Sequence, residues 1–214
     1  MYRTVIFDLD GTLLNTLDDL CDSVNYSLEK HKLPQRSLAE VRRFVGNGIR
    51  KLIERAVPCN TSLELTDRVY ETFKEHYGVH CFDKTAPYGG IPELIAELSK
   101  RGIKCGIASN KYNPAVQELN ERCFEGLIAA ARGLNEGEPA KPDAHIVNCV
   151  MQELNADRDT TLYVGDSQVD VMTARNTGLR MVAVLWGFRD YDELCEAGAT
   201  EFVSEPSELL RYFE

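Results

Sequence analysis

Short apolar runs alternate with segments of helical length over most of the chain. This alternation is typical of a parallel sheet with helices packed on both faces, a doubly wound α/β fold. The predicted strands cover residues 4–7, 103–108, 127–131, 161–164 and 180–185, and the predicted helices cover 91–101, 114–122, 144–154 and 169–177.

The pattern changes between residues 15 and 82. Apolar residues recur there with a helical period over 17–28, 49–57 and 65–77, and no strand-like run interrupts them. Thr16 is placed to cap the first of these helices. We therefore predict a small helical domain inserted after the first strand. The predicted bounds are 15–82 for the helical insertion, and 1–14 with 83–214 for the α/β core.

Composition narrows the class of protein. Hydrophobic residues make up 43% of the 214 positions, which excludes a disordered chain. The net charge of −10 repels phosphate backbones, so we expect no nucleic-acid partner. No apolar stretch is long enough to span a bilayer, and the seven scattered cysteines suit a reducing compartment. We therefore expect a cytoplasmic protein with no membrane contact.

Two carboxylates follow the first predicted strand. Asp8 and Asp10 are two positions apart and point the same way, and Gly11 permits a sharp turn after them. Close carboxylates repel each other unless a metal ion lies between them or one of them takes a proton. An Asp-rich turn capped by Thr12 is the simpler alternative.

A second acidic pair follows the strand that ends at residue 164. Asp166 and Asp170 are four positions apart at the start of a helix, where like charges destabilise the helix. A hard cation bound by their oxygens would reverse the sign of that interaction. Simple helix capping by Asp166 or Ser167 is the alternative.

Two more residues complete the candidate site. Ser109 follows another predicted strand, where its hydroxyl and the free N–H groups of a helix start suit a phosphate oxygen. Lys141 precedes Pro142, which stiffens the loop that carries the ammonium group. Taken alone, Ser109 reads as a helix cap and Lys141 as a solvated surface lysine.

The order of these features resembles the haloacid dehalogenase-like superfamily, and within it the phosphoglycolate phosphatase-like enzymes. The resemblance covers essentially the whole chain. The Asp-Leu-Asp-Gly-Thr segment at 8–12 is similar to the first family motif, Ser109 to the second, Lys141 to the third, and 165–170 to the fourth. The segment 15–82 resembles the family's helical cap. The fold implied is a Rossmann-like core with this cap inserted.

The resemblance implies a role for each carboxylate. Asp8 would be the nucleophile that forms an aspartyl-phosphate. Asp10 would protonate the leaving oxygen and then deprotonate the hydrolytic water. Mg²⁺ would be held by Asp8, the main-chain carbonyl of Asp10 and Asp166, with Asp170 in support. Ser109 and Lys141 would act in catalysis by binding the phosphoryl group that is transferred. The implied phosphate-binding set comprises Asp8, Gly11, Thr12, Ser109, Asn110 and Lys141.

We expect substrate specificity in the cap, because the core motifs bind the phosphoryl group that every substrate shares. Gly46, Asn47 and Gly48, followed by Arg50, are similar to a cap segment of the phosphoglycolate branch. Arg50 is the first choice for contacting a second anionic group of the substrate. The alternative is that this cation belongs to a solvated helix face.

The sequence thus predicts a Mg²⁺-dependent phosphatase for small phosphorylated metabolites, acting as a monomer or homodimer. A phosphosugar mutase or a pyrophosphatase on the same core is the alternative within the enzyme class. A non-catalytic protein that binds phosphate or metal is the alternative outside it. Asp10 favours ester cleavage, because dehalogenases and phosphonate-cleaving relatives lack an acid at that position.

Overall fold

The computed structural model describes all residues from Met1 to Glu214. The chain forms two compact units, an α/β unit of Met1–Leu14 with Pro87–Glu214 and a helical unit of Asn15–Ala86. The strands are β1 (Thr4–Phe7), β2 (Leu14–Asn15), β3 (Ala86–Pro87), β4 (Lys104–Tyr112), β5 (Ala130–Leu134), β6 (Thr161–Gly165), β7 (Arg180–Val184) and β8 (Phe202–Val203). The helices are α1 (Leu17–Lys30), α2 (Leu38–Phe44), α3 (Gly48–Ala56), α4 (Leu63–His80), α5 (Ile91–Lys100), α6 (Asn113–Phe124), α7 (His145–Glu153), α8 (Gln168–Thr177) and α9 (Tyr191–Ala197). Two 3-10 helices cover Arg158–Thr160 and Pro206–Phe213.

The α/β unit is built on one sheet of six parallel strands, in the order β5-β4-β1-β6-β7-β8. Every residue of β1 and β6 is buried, as expected for central parallel strands covered on both faces. The chain adds β4 and β5 on one side of β1, and then β6, β7 and β8 on the other. The fold class predicted from the sequence is confirmed. Because the strand order reverses at β1, ligands are expected beyond the carboxyl ends of β1, β4 and β6.

Two strands differ from their predicted bounds by more than one residue. The strand β4 continues to Tyr112, four residues beyond the predicted end, with an irregular register between Ala108 and Tyr112. The strand β5 begins at Ala130 rather than at residue 127. Gly126 has a φ of +81° in the turn after α6, and Leu127 is 42% exposed. The apolar run therefore starts in a surface turn before it enters the sheet.

The helical unit has its own apolar core. Helix α1 packs against α4 and α2, and α3 packs against α2 and α4. Val24 and Leu28 of α1, with Val69 and Phe73 of α4, are fully buried. Thr16 lies at the N-cap of α1, but its hydroxyl makes no capping hydrogen bond, so the sequence prediction has the position right and the contact wrong.

The return segment of the helical unit is tied to α1 by a buried carboxylate. Asp19 accepts hydrogen bonds from the backbone N–H of Lys84 at 3.0 Å and of Thr85 at 2.8 Å. Two N–H groups that would otherwise be unpaired next to β3 are thereby satisfied.

None of the helices combines the length and the hydropathy that a membrane span requires.

Candidate active site

Three strand ends meet at one edge of the sheet. Phe7 of β1 pairs in register with Ile107 of β4 and with Val164 of β6. The N–H of Asp8 donates to the carbonyl of Val164 at 2.8 Å, which continues the ladder by one residue. Asp8, Asp166 and the last residues of β4 are therefore brought together although they are far apart in sequence. Ser109, which was expected after a strand, lies within β4.

Lys141 lies at the centre of this edge. Its Nζ is 2.9 Å from Oδ1 of Asp8 and 2.9 Å from Oδ1 of Asp170, and its side chain is 2% exposed. Asn110 holds the lysine backbone, since Lys141 N–H donates to Oδ1 of Asn110 at 2.7 Å and Asn110 Nδ2 donates to the carbonyl of Lys141 at 3.0 Å. Burial acts to lower the pKa of Lys141, but Asp170 and Asp8 hold it well above its usual value. The lysine is therefore a fixed, charged group.

Tyr163 supports the same lysine from within β6. Its hydroxyl accepts from Nζ of Lys141 at 3.0 Å and donates to Oδ1 of Asp170 at 2.8 Å. Burial and the neighbouring Asp170 raise the pKa of Tyr163 well above its usual value, so the hydroxyl keeps its proton. The sequence carries no signal for this contact, because an aromatic residue in a buried strand is ordinarily a packing residue.

Asp166 is also completely enclosed. Its Oδ1 accepts from the hydroxyl of Thr12 at 3.2 Å, and its Oδ2 accepts from the N–H of Phe188 at 2.7 Å. Gly11, with a φ of +90°, passes so close that a Cβ atom there would collide with the Asp166 carboxylate. Gly187 makes a similar approach from the segment after β7. Thr12, which the family resemblance includes in the phosphate-binding set, donates its hydroxyl to Asp166 in this structure.

The three carboxylates Asp8, Asp166 and Asp170 form a cluster that fits a metal ion. One oxygen of each lies within 4.8 Å of the others. Burial raises the pKa of Asp8 to about 8, against the opposing effect of Lys141. Burial and Asp170 raise the pKa of Asp166 to about 7. An all-oxygen donor set with uncompensated negative charge suits a hard divalent cation, which would restore both groups to their ionised form.

Asp170 differs from its two neighbours in this cluster. Burial acts to raise its pKa, but Lys141 and the hydrogen bonds from Ser167 and Tyr163 hold the pKa below its usual value. The N–H and the hydroxyl of Ser167 both donate to Oδ2 of Asp170, at 3.1 and 2.6 Å. Ser167 is the N-cap residue of α8 and forms a capping box with Asp170, so the helix-capping alternative is correct for Ser167 and not for Asp166.

Asp10 lies on the β4 side of Asp8 and has a different partner. Its Oδ1 is 3.0 Å from Nζ of Lys111, whose side chain is 3% exposed. The N–H of Lys111 donates to the hydroxyl of Ser109 at 3.2 Å. Lys111 is not among the site residues predicted from the sequence, although its place two positions after Ser109 is a signal for it.

The residues proposed for specificity all lie in the helical unit. Gly46 has a φ of +119°, and Asn47 precedes α3 with its Oδ1 accepting from Arg55 at 2.8 Å. Arg50 forms ion pairs with Glu54 at 3.0 Å and with Asp67 at 2.5 Å. These two hydrogen bonds raise the pKa of Arg50. Within its own unit, therefore, the Arg50 guanidinium links α3 to α4.

The model of the haloacid dehalogenase-like hydrolase family matches residues 5–184 of the chain. That span contains every aspartate and lysine of the cluster at the strand ends. The fold and the family match agree, and the chain belongs to the haloacid dehalogenase-like hydrolases.

Named relatives place the chain within that family. A phosphoglycolate phosphatase of Mesorhizobium japonicum is 37% identical over 98% of this chain and 91% of its own length. An N-acetylmuramic acid 6-phosphate phosphatase of Pseudomonas aeruginosa is 29% identical over 97% of this chain and 93% of its own. A crystal structure of a protein from Lactobacillus delbrueckii subsp. bulgaricus, proposed to be a phosphoglycolate phosphatase, superposes with a TM-score of 0.91 at 33% identity, covering 97% of this chain and 96% of that one. The chain is a phosphatase of the phosphoglycolate phosphatase-like branch.

Proposed function

We propose that the protein hydrolyses small phosphomonoesters, phosphoglycolate foremost, through an aspartyl-phosphate on Asp8 and with Mg²⁺ as cofactor. The observation that carries this proposal is the position of Lys141, whose ammonium group is held beside Asp8 by Asp170 and Tyr163. A fixed cation beside a carboxylate nucleophile is what the transfer of a dianionic phosphoryl group requires.

Mg²⁺ fits the oxygen cluster already described. Asp8, Asp166 and the main-chain carbonyl of Asp10 would hold the ion, and Asp170 would support the site. When bound, it supplies positive charge that neutralises the phosphoryl oxygens. The excess of carboxylates over lysines supports this assignment, because the protein alone leaves Asp8 and Asp166 with raised pKa values.

In the first half-reaction, an oxygen of Asp8 attacks phosphorus while the bond between phosphorus and the leaving oxygen breaks. Asp10 donates its proton to that leaving oxygen, so the alcohol departs neutral. Lys141, the hydroxyl of Ser109 and the N–H of Asn110 bind the oxygens of the phosphoryl group during transfer. Main-chain N–H groups near Gly11 complete this set.

In the second half-reaction, Asp10 is a carboxylate and takes a proton from the attacking water. The bond between phosphorus and Asp8 breaks, inorganic phosphate leaves, and the Asp8 carboxylate is regenerated. Asp10 ends protonated, ready for the next ester. The covalent route divides one slow hydrolysis into two easier steps.

Substrate choice rests on two arguments. The relatives named phosphoglycolate phosphatase support a short acidic substrate, and the relative that acts on N-acetylmuramic acid 6-phosphate supports a sugar phosphate as the second candidate. The residues proposed to contact the leaving group are Gly46, Asn47 and Arg50. Arg50 would then release a carboxylate of its own unit and pair with a carboxylate of the substrate.

A substrate screen ranked by kcat/KM tests the proposal. The panel includes phosphoglycolate, N-acetylmuramic acid 6-phosphate, a neutral alkyl phosphate and p-nitrophenyl phosphate, each with Mg²⁺ and with a chelator. We expect phosphoglycolate to rank first and all turnover to require the metal. Absence of phosphate release from every ester in Mg²⁺ would contradict the proposal. The cytoplasmic location and the monomeric or homodimeric state stay predictions from the sequence.

A further inference from the structure

The ion pair between Lys111 and Asp10 has no role in the two proposed half-reactions. Nζ of Lys111 lies 3.0 Å from Oδ1 of Asp10, and the two side chains are 3% and 16% exposed. The residues are 101 positions apart and meet because β1 and β4 are neighbours in the sheet. A lysine at this depth is retained only with a partner, since an unpaired buried ammonium group is strongly unfavourable.

The two buried lysines of the site contact different carboxylates. Lys141 contacts Asp8 and Asp170, whereas Lys111 contacts Asp10. The backbone of Lys111 is held in turn, because its N–H donates to the hydroxyl of Ser109. Lys111 is therefore anchored to the same short segment that is proposed to bind the phosphoryl group.

We propose that Lys111 is a positioning residue for the general acid and base. The ammonium group holds Oδ1 of Asp10, so the other oxygen of this carboxyl group is directed to the leaving oxygen and then to water. Without that contact, the Asp10 side chain can rotate about its Cα–Cβ and Cβ–Cγ bonds, and the fraction of time in a productive orientation falls. This inference rests on the proposed function, in which Asp10 transfers the proton.

The leaving group provides a readout that a merely structural role would not change. An alkoxide must be protonated as it departs, whereas p-nitrophenolate departs without a proton. For Lys111→Met we expect kcat/KM to fall about 10²-fold with phosphoglycolate and with a neutral alkyl phosphate, the lower end of what general acid catalysis contributes. With p-nitrophenyl phosphate, whose departure needs no acid, we expect a fall of less than about fivefold.

A double-mutant cycle with Asp10→Asn tests whether Lys111 acts through Asp10. If it does, adding Lys111→Met to Asp10→Asn lowers kcat/KM for the alkyl esters by no more than about twofold. A loss in the double variant equal to the product of the two single losses would overturn the proposal. So would a loss confined to the acidic ester, because Lys111 would then bind the substrate itself.

Lys104→Met is the matched control. Lys104 begins the same strand, and its Nζ donates to the carbonyl of Leu154 at 2.6 Å, away from the carboxylates. We expect unchanged kcat/KM on every ester. If Lys111→Met does not fold, Lys111→Arg carries the same comparison, since the guanidinium keeps the charge but displaces the donor from Oδ1. If the wild-type protein cleaves the esters and the Lys111 variant has the same kcat/KM, this inference alone is contradicted. If the wild-type protein cleaves no ester, the proposed function is contradicted.

Discussion

Two sets of charged pairs, one in each unit of the molecule, lie in opposite environments. In the α/β unit, Lys141 and Lys111 are 2% and 3% exposed. They contact carboxylates that follow β1 (Asp8 and Asp10) or lie in α8 (Asp170). In the helical unit, Arg50 and Lys51 are 41% and 58% exposed, and both contact Glu54 one turn along the same helix.

The two sets of pairs differ in energy because they differ in exposure to water. An exposed ion pair gains little because water screens it, and such pairs contribute about 0 to 1 kcal/mol. A buried charge is strongly unfavourable alone, so a buried pair couples the position of each partner to the other. The buried pairs of Lys141 and Lys111 therefore hold the geometry of a site, whereas the pairs of Arg50 and Lys51 lie at the surface of the helical unit. Paired substitutions, one in each unit, test this distinction.

The largest contrast is expected for aspartate. Asp8→Asn removes the charged nucleophile with almost no change of shape, and we expect kcat to fall at least about 10³-fold, because no other group can attack phosphorus. Asp67→Asn removes an exposed carboxylate that pairs with Arg50. We expect it to leave kcat for p-nitrophenyl phosphate within about twofold. Steady-state phosphate release measures both, and near wild-type turnover in Asp8→Asn would rule out the covalent route.

The second comparison concerns the Mg²⁺ dependence of turnover. A chelator should reduce turnover to roughly 1% or less, and added Mg²⁺ should restore it, since the acidic cluster repels an unaccompanied phosphate. Asp166→Ala should raise the Mg²⁺ concentration needed for half-maximal rate at least about tenfold, because it removes one oxygen ligand of the cluster. Asp67→Asn is the control and should give the wild-type titration. An identical Mg²⁺ titration in Asp166→Ala would remove Asp166 from the metal site.

Replacing a buried lysine and replacing an exposed lysine should change the free energy of unfolding by different amounts. Lys141→Met leaves Asp8 and Asp170 without their shared cation, and we expect a loss of roughly 3 kcal/mol in the free energy of unfolding, as for other broken buried pairs. Lys51→Met should change it by less than about 0.5 kcal/mol. Urea unfolding followed by circular dichroism measures both without added metal. Equal changes in the free energy of unfolding for the two variants would mean that burial does not make the Lys141 pairs more important for stability than the Lys51 pair.

The smallest change in kcat/KM is expected for Arg50, the exposed cation of the helical unit that is also proposed to contact the substrate. If Arg50 also serves substrate recognition, Arg50→Ala should lower kcat/KM for phosphoglycolate roughly tenfold, the effect of losing one hydrogen bond to a charged group. The same variant should leave kcat/KM for a neutral aryl phosphate unchanged. Lys51→Ala on the same helix is the control. Equal changes on both esters would leave Arg50 as a link between α3 and α4 only.

Much of the architecture was predictable because it is local. The alternation of apolar runs and helical segments indicates a parallel sheet. The positions of Asp8, Ser109 and Asp166 place candidate site residues after three of the predicted strands. The helical stretch after residue 15 is equally visible, since its period does not depend on distant partners. Where a boundary depended on a turn, as at Gly126 before β5, the apolar pattern alone placed the strand three residues too early.

Tertiary structure alone decided the partners of each charge. Lys111 meets Asp10 across 101 positions, and Thr12 meets Asp166 across 154, because strands that are distant in sequence are neighbours in the sheet. Tyr163 is an ordinary strand residue by pattern, and only the fold brings its hydroxyl to Lys141. The sequence determined which chemical groups stand at the strand ends, whereas strand order and burial determined which of them touch, since hydrophobic period carries no information about non-local pairing.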